Sequence, residues 1–216
     1  EDLPDRRGQL VGVPGTAETQ DALGSLLYGQ SRYAEARPLF QSALKGRIRA
    51  FGEDHALVSE TLGHLGDLDM ATGQFGEAKT SYGRALALDE KRLGTKDLGV
   101  GSRCFHLGKC LMAMKLPKDA EPLLTRALAI DEKAFGVDHP AVTRDLDALL
   151  ETYATLGKTE TMESLRTRLK AMHDQAAAAW AAEMTPPEPK PASTPQPAEP
   201  VEPPKPPKPA EPLLAV

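Results

Sequence analysis

The sequence repeats itself with a period of 42 residues, and this period limits what the chain can fold into more than any other feature. Residues 17–58, 59–100 and 101–142 align without a gap, and a degenerate fourth copy begins at residue 143. A period of this length is typical of solenoids, in which one unit cannot bury its apolar face alone and stacks on the next. The sequence therefore predicts a linear array of similar units over residues 17–158.

Within each copy, small and large apolar residues recur at helical spacing in two segments separated by a turn. We predict two antiparallel helices per repeat, with small residues where two helix backbones approach and large residues where the next repeat is contacted. The recurring columns are Leu23-Gly24, Leu65-Gly66 and Leu107-Gly108 in the first segment, then Ala36, Ala78 and Ala120, then Phe40, Tyr82 and Leu124, then Ala43, Ala85 and Ala127 in the second.

Composition restricts the class of partner. The chain of 216 residues holds 26 basic and 31 acidic residues, for a net charge of −5, which argues against nucleic acid or an anionic membrane surface. No apolar run approaches the roughly 20 residues that a membrane-spanning helix needs. Because 40% of the residues are hydrophobic but only 5% are aromatic, Ala and Leu supply most of the core, as suits close-packed helices.

The residues outside the array differ from it in composition. Residues 159–184 carry a continuous helical pattern and predict one long helix that caps the last repeat. Residues 1–16 predict a disordered lead-in, and the proline-rich residues 185–216 predict a disordered, extended tail. The tail is either a linker, which its composition favours, or a ligand for an aromatic-lined groove through the PxxPxK pattern that begins at Pro203.

The junctions between repeats contain Asp-His pairs that resemble catalytic or metal-binding pairs. The middle junction has Lys96-Asp97 instead, and this variation favours a structural role. We expect Asp54 and Asp138 to cap the following helices. We also expect the preceding glycines to end the second helices and the apolar residues before those to pin the turns to the core. These residues are Gly52, Gly94 and Gly136, and Phe51, Leu93 and Phe135.

The cysteines and histidines are the other candidates for chemistry. Cys104 and Cys110 lie six residues apart in a helical pattern, too far for a disulfide, so packed thiols in a reducing, cytoplasmic compartment are expected. His64 and His106 share a column, with Asp67 one turn beyond His64, but two histidines and one carboxylate do not form a closed ligand set. We therefore predict no metal, no cofactor and no catalytic site, since enzyme motifs are also absent from the sequence.

The order Leu-Gly, then Ala, then an aromatic residue or Leu, then Ala resembles the tetratricopeptide repeat. The segments "FGEAKTSYGRALALDEKRLG" and "DAEPLLTRALAIDEKAFGVDHPAV" are similar to its longer kinesin light chain type. The resemblance implies an all-α, right-handed superhelix of helical hairpins whose first helices line a concave face. Such arrays bind peptides or partner proteins and perform no chemistry themselves.

The resemblance also implies which residues line the concave face. In kinesin light chain-type repeats, two adjacent columns often carry asparagines that contact the backbone of a bound peptide, and here these columns hold other residues. The predicted peptide-groove residues are Asp21, Tyr28, Glu60, His64, Asp67, Met70, Phe105, His106, Lys109, Met112, Arg144 and Asp147, with Glu18, Ser25, Gly63, Ser102 and Glu151 beside them.

Six of these groove residues are acidic and two, Lys109 and Arg144, are basic. Rows of carboxylates in a concave surface focus a negative potential, so the predicted ligand is an extended segment carrying Lys or Arg, with its basic end at the first two repeats. An apolar side chain of the ligand would lie near Tyr28, Met70, Phe105 and Met112. In the alternative interpretation, these charges only keep a monomeric array in solution.

Two further functions stay open at the level of sequence. The chain begins at Glu1 without Met or a leader, so we expect a processed product or a piece of a longer protein. The repeats could then regulate a larger enzyme, such as a kinase or protease. Alternatively, the array is architectural and packs on copies of itself, and the sequence does not give its oligomeric state. Trp180, the only tryptophan, either packs on the array, lies exposed or contacts a partner.

Overall fold

A computed structural model of the protein describes residues 14–184. Within this range the chain forms α-helices and no strands, which confirms the predicted all-α class. None of the described helices is both long and apolar enough to cross a membrane. The helices are α1 (Pro14–Gly29), α2 (Tyr33–Phe51), α3 (Ala56–Ala71), α4 (Phe75–Leu93), α5 (Leu98–Ala113), α6 (Pro117–Phe135), α7 (Pro140–Leu156) and α8 (Thr159–Met184).

The helices pair into hairpins that stack in chain order. α1 packs on α2, α3 on α4, and α5 on α6, while α2 meets α3, α4 meets α5, and α6 meets α7 between consecutive hairpins. The first helices are also neighbours, since α1 contacts α3 and α5 contacts α7. α1 begins at Pro14, two residues before the predicted end of the lead-in at residue 16. The rest of that lead-in and the proline-rich tail lie outside the described residues.

The small columns lie where the paired helices touch. Ala36, Ala78 and Ala120 are completely buried. A Cβ atom added to Gly66 would lie 2.5 Å from the Tyr82 ring, closer than two carbon atoms can approach. The equivalent atom on Gly24 would lie 2.8 Å from Phe40, and that on Gly108 would lie 2.7 Å from Leu124. Glycine is therefore required opposite each large residue of the second helix.

The leucine columns of the first helices are buried only where a preceding hairpin covers them. Leu65 and Leu68 of α3 pack against Ala36 and Phe40 of α2 and are 7% and 0% exposed. Leu23 and Leu26, in the same columns of α1, are 44% and 58% exposed. No described helix precedes α1, so its outer face is left without the cover that the later repeats provide.

The predicted helix caps at Asp54 and Asp138 were wrong by one residue. The N-caps are His55 and His139, whose Nδ1 atoms accept the backbone N–H groups of Leu57 at 3.2 Å and Ala141 at 3.1 Å. In the middle junction Asp97 occupies the same position and accepts the N–H of Gly99 at 2.8 Å. The residue before each of these helices therefore has a side chain that accepts a backbone N–H, and either an imidazole or a carboxylate can do so.

The residues before the turn glycines are partly exposed and do not pin the turns to the core. Phe51, Leu93 and Phe135 are 43%, 43% and 44% exposed, so that prediction was also wrong. The two phenylalanines stack instead on the capping histidines, with Phe51 and His55 centroids 4.5 Å apart. The glycines end the helices as predicted: Gly52 has φ of +84°, and its N–H donates to the carbonyl of Ile48 at 2.9 Å.

The last helix covers the end of the array and then extends beyond it. Leu169 and Met172 of α8 are buried against Val142 and Leu146 of α7. This contact supplies the apolar cover that a terminal repeat needs, as the sequence predicts for a capping helix. Past Met172 the described side chains are exposed, and Trp180 is 66% exposed. Of the interpretations of Trp180, packing on the array is therefore wrong.

Candidate functional site

The predicted groove residues belong to the first helices α1, α3, α5 and α7, which lie side by side. Most of them are half-buried or exposed and so reach the surface, namely Tyr28, Glu60, His64, Asp67, Met70, Phe105, His106, Lys109, Arg144 and Asp147. Asp21 and Met112 are instead buried, with 5% and 8% exposure, and lie beneath this surface. We call this exposed and half-buried set, together with the exposed Glu18 and Glu151 beside it, the first-helix face.

Asp21 belongs to a cluster of charges between the first and second repeats. Arg47 of α2 is 3% exposed and its Nη1 atom lies 3.3 Å from both Asp21 Oδ1 and Glu60 Oε2. The same Nη1 donates hydrogen bonds to the hydroxyl of Thr61 at 2.7 Å and the carbonyl of Leu57 at 2.9 Å. Since buried charges need partners, this network explains how Arg47 and Asp21 are tolerated inside the array.

His64 completes this cluster at the first-helix face. Its Nδ1 lies 3.0 Å from Asp21 Oδ2, and its ring lies 5.3 Å from that of Phe40. The contact with Asp21 raises the pKa of His64 against the opposing effect of its own burial. Burial alone would raise the pKa of Asp21, but the hydrogen bond and charge of His64, with the charge of Arg47, outweigh it and lower that pKa. Both shifts favour a charged His64–Asp21 pair.

The two histidines of the shared column, His64 and His106, contact different partners and do not form a paired site. Nδ1 of His106 lies 2.7 Å from the carbonyl oxygen of Ser102, and its ring stacks on Tyr82 at 5.7 Å. Around His64, ligand atoms of Asp21, Glu60 and His64 all lie within 4.8 Å of one another, as three metal ligands would. The guanidinium of Arg47 already contacts both carboxylates, however, and its fixed positive charge opposes a metal ion there.

Asp67 is held at the first-helix face by a residue of the second helix. The hydroxyl of Tyr82, whose side chain is 2% exposed overall, donates to Asp67 Oδ1 at 2.5 Å. The ring passes over Gly66, which has no Cβ to obstruct it. Burial and the hydrogen bond to Asp67 both raise the pKa of Tyr82, so the phenol stays a donor. The carboxylate of Asp67 is therefore a positioned acceptor beside Met70.

Arg103 is a residue of this face that the sequence reasoning missed. Its Nε donates to Asp89 Oδ2 at 3.0 Å, and its guanidinium lies directly over Gly63, where a Cβ atom would collide with it. Gly63 occupies a column that often carries a peptide-contacting asparagine in kinesin light chain-type repeats, and here that space holds an arginine. The sequence signal for this contact is the glycine at position 63 together with the arginine 40 residues later, at position 103.

Arg144 lies across the third and fourth repeats. Its guanidinium carbon lies 4.3 Å from the centroid of the Phe105 ring, and Nη2 lies 3.1 Å from Asp131 Oδ2. Its Nε also lies 3.4 Å from Oδ1 of Asp145, which is fully buried. The two carboxyl groups therefore share one guanidinium.

Burial raises the pKa of Asp145 to about 7; Arg144 opposes this shift and the neighbouring Asp131 adds to it. A carboxyl in this setting keeps its proton well above the ordinary range of aspartate. At the earlier junctions each buried charge has an oppositely charged partner, since Asp89 pairs with Arg103 and Arg47 pairs with Asp21. At this junction two carboxyl groups share one arginine, and Asp145 is neutralised by a proton instead.

Much of the acidity predicted for the groove is compensated within the chain. Glu60 contacts Arg47, and Glu151 pairs with Lys109 at 2.8 Å. Glu18 and Asp147 are exposed and form no ion pair with any other residue of the 14–184 range. The first-helix face thus presents carboxylates of two kinds, those held by internal partners and those open to a ligand.

Comparison with known proteins agrees with this geometry. One model of the tetratricopeptide repeat family matches residues 15–91 and a second matches residues 106–141. The structure of BtubC (BKLC) from P. vanneervenii is similar, with 18% identity, a TM-score of 0.70, and coverage of 92% of this chain and 74% of that chain. A comparison with curated proteins gives no significant match.

Two further solved structures share the fold. A kinesin light chain-like protein of Podosopora anserina with nearly identical TPR-like repeats has 20% identity and a TM-score of 0.68 over 77% of this chain and 78% of that chain. Aspartyl phosphate phosphatase F from Bacillus subtilis has 15% identity and a TM-score of 0.65 over 81% of this chain and 43% of that chain. At these identities the similarity concerns the fold alone. With its repeat columns, stacked hairpins and two family matches, the chain belongs to the tetratricopeptide repeat family.

Proposed function

We propose that the first-helix face binds an extended segment of a partner protein. The fold is generally a scaffold for protein–protein interaction. The observation that carries the proposal is the fixed carboxylate of Asp67, which Tyr82 holds at 2.5 Å from the second helix. Acceptors that are already in position lose little entropy when a ligand binds, which favours binding of a flexible segment.

The ligand is an extended segment that carries Lys or Arg. Glu18, Glu60 and Asp67 lie on the first two repeats of the face, whereas Lys109 and Arg144 lie on the third and fourth. This arrangement favours a ligand whose basic end contacts the first two repeats. Because exposed ion pairs are screened beyond a Debye length of about 8 Å at physiological ionic strength, binding weakens as salt rises.

Apolar contacts supply the rest of the affinity. Tyr28, Met70 and Phe105 are half-buried on the face, and each leaves part of its side chain open to a ligand. Phe105 also carries the Arg144 guanidinium on its ring, which keeps the ring in place. Met112, also predicted at the groove, is 8% exposed and supports the face from beneath.

A panel of cationic, neutral and anionic peptides tests this proposal when it is titrated at low and high salt. Charge reversal with the double variant Glu60→Lys, Asp67→Lys should weaken binding of cationic peptides, and high salt should do the same. The matched control is Glu53→Lys, Glu160→Lys, which makes the same charge change at two exposed positions outside the face. A preference for anionic peptides, or equal losses in both variants, contradicts the proposal.

Self-association is a second candidate, and the exposed leucines of α1 favour it. Leu23 and Leu26 present the same columns that are buried in the later repeats. A second copy of the chain that packs on this outer face of α1 would bury Leu23 and Leu26, just as the preceding hairpin buries Leu65 and Leu68. Sedimentation of the chain and of the variant Leu23→Ser, Leu26→Ser decides: a concentration-dependent dimer that the variant loses supports it, and a monomer at all concentrations contradicts it.

A further inference from the structure

The junctions between repeats contain equivalent positions, and at one of these positions the second junction carries a charge opposite to that of the first. At the junction of the first and second repeats, Lys91 of α4 pairs with Asp54 of the α2–α3 loop. The positions 42 residues later are Lys133 of α6 and Lys96 of the α4–α5 loop. The second junction therefore has a lysine where the first has the acidic partner of an ion pair.

The two lysines share a surface pocket with a fixed arginine. Arg126 Nη2 donates to the carbonyl of Thr95 at 2.9 Å, and its Nη1 pairs with Glu90, so both the loop and the arginine are held. The pocket, called here the Lys96–Lys133 pocket, is lined by Thr95, Lys96, Arg126, Ala129, Ile130 and Lys133.

The pocket carries uncompensated positive charge. Glu90 balances Arg126, while Lys96 and Lys133 have no ion-pair partner among residues 14–184. The nearby Asp97 is directed to its own helix, since its Oδ1 accepts the Gly99 N–H at 2.8 Å. In the third junction the positions equivalent to the two lysines hold an acidic and a neutral residue, Asp138 and Gln175. Positive charge thus accumulates at the middle junction alone among the three.

We propose that the Lys96–Lys133 pocket binds the phosphate of a phosphorylated serine or threonine on a partner protein. A phosphate monoester carries nearly two negative charges at neutral pH and three strong acceptor oxygens, which match two unpaired ammonium groups beside a fixed guanidinium. Ile130, which is 6% exposed, gives an apolar floor for the ester carbon. The proposal is independent of peptide binding at the first-helix face.

Inorganic phosphate and a phosphoserine peptide are the probes, titrated into the full ¹⁵N-labelled chain at about pH 7.5, above the second phosphate pKa of about 6. Saturable shifts are expected at the amides of Thr95, Lys96 and Lys133. Acetate and the unphosphorylated peptide, which carry less charge, should bind about tenfold more weakly or worse.

The decisive variant is Lys96→Asp, which installs the charge that Asp54 supplies one repeat earlier. It should lower phosphopeptide affinity by about tenfold or more, and its melting temperature should not fall, because an ion pair replaces two like charges. Lys118→Asp is the matched control. Lys118 is exposed at the start of α6, 15 residues or about 22 Å along the helix from Lys133, and its variant should bind as the parent does.

Three results would overturn the proposal. Phosphopeptide binding that Lys96→Asp and Lys118→Asp weaken equally would show general attraction to positive charge. Shifts that do not saturate with either probe would show that the pocket holds no phosphate. Phosphatidylserine vesicles that bind more tightly than the phosphopeptide, and lose binding with Lys96→Asp, would assign the pocket to a membrane surface instead.

Discussion

The imidazole of His55 stacks on the ring of Phe51, with centroids 4.5 Å apart, while its Nδ1 accepts the backbone N–H of Leu57 at 3.2 Å. One side chain therefore caps α3 and holds the preceding turn. Replacement by alanine removes both contacts, so His55→Ala should lower the free energy of unfolding by about 1 to 2 kcal/mol. Chemical denaturation measures this change.

The repeat itself supplies the control for this prediction. His55→Asp installs the residue found at the equivalent position 97, keeps the cap and loses only the ring contact, so it should cost less than His55→Ala. His173→Ala, at an exposed position of α8, should cost almost nothing. Equal costs for the two His55 variants would mean that the cap contributes no stability.

The glycine columns give a second prediction, on packing. In Gly66→Ala the new Cβ would lie 2.5 Å from the Tyr82 ring, so the variant should be destabilised by about 1 to 3 kcal/mol. Gly83, in the interior of α4, has no atom within 4 Å of an added Cβ, so Gly83→Ala should be stabilising by about 0.5 to 1 kcal/mol. Melting temperatures that move in the same direction would contradict the close approach of α3 and α4.

Sequence columns predicted the hairpins well because the same spacing recurs in three gapless copies. The caps were misplaced because aspartate is the stronger capping residue, and nothing in a single junction shows that Phe51 stacks on His55. The charges between repeats were also missed. They join residues such as Arg103 and Asp89 that lie on different helices, and their contact depends on side-chain reach that the repeat period does not give.

Asp145 gives a prediction on pH. Its folded pKa of about 7 lies above the unfolded value of about 3.9, so the folded state binds more protons between these values. The contribution of Asp145 to stability is therefore present at low pH and declines as pH rises from about 4 to about 7. Asp145→Asn, which cannot ionise, should flatten this slope, and an unchanged slope in denaturation at several pH values would contradict the assignment.

His64 contributes in a different pH range. Its pKa is raised by contact with Asp21, so its stabilising charge is fully present below the unfolded value of about 6.5 and is lost as pH rises through the higher folded value. His64→Gln should remove this decline while it leaves the Asp145 slope in place. Loss of both slopes in His64→Gln would show that the two groups had been assigned incorrectly.

The thiols give a prediction on reactivity. Cys104 and Cys110 are buried and form no disulfide bond, and burial raises the pKa of both thiols. Because the thiolate is the reactive form, both should react with a thiol reagent only as fast as the array opens. Rapid labelling of the folded chain, at the rate seen in denaturant, would show that the helices around them are open in solution.

The position of a bound peptide shows whether the first-helix face is the binding surface. The cationic peptide with the highest affinity in the panel is given a spin label and mixed with the full ¹⁵N-labelled chain, and the broadening of amide signals is measured. We expect the strongest broadening along α1, α3 and α5, at positions such as Asp67, Met70 and Phe105. Broadening confined to the second helices α2, α4 and α6 would contradict binding at the first-helix face.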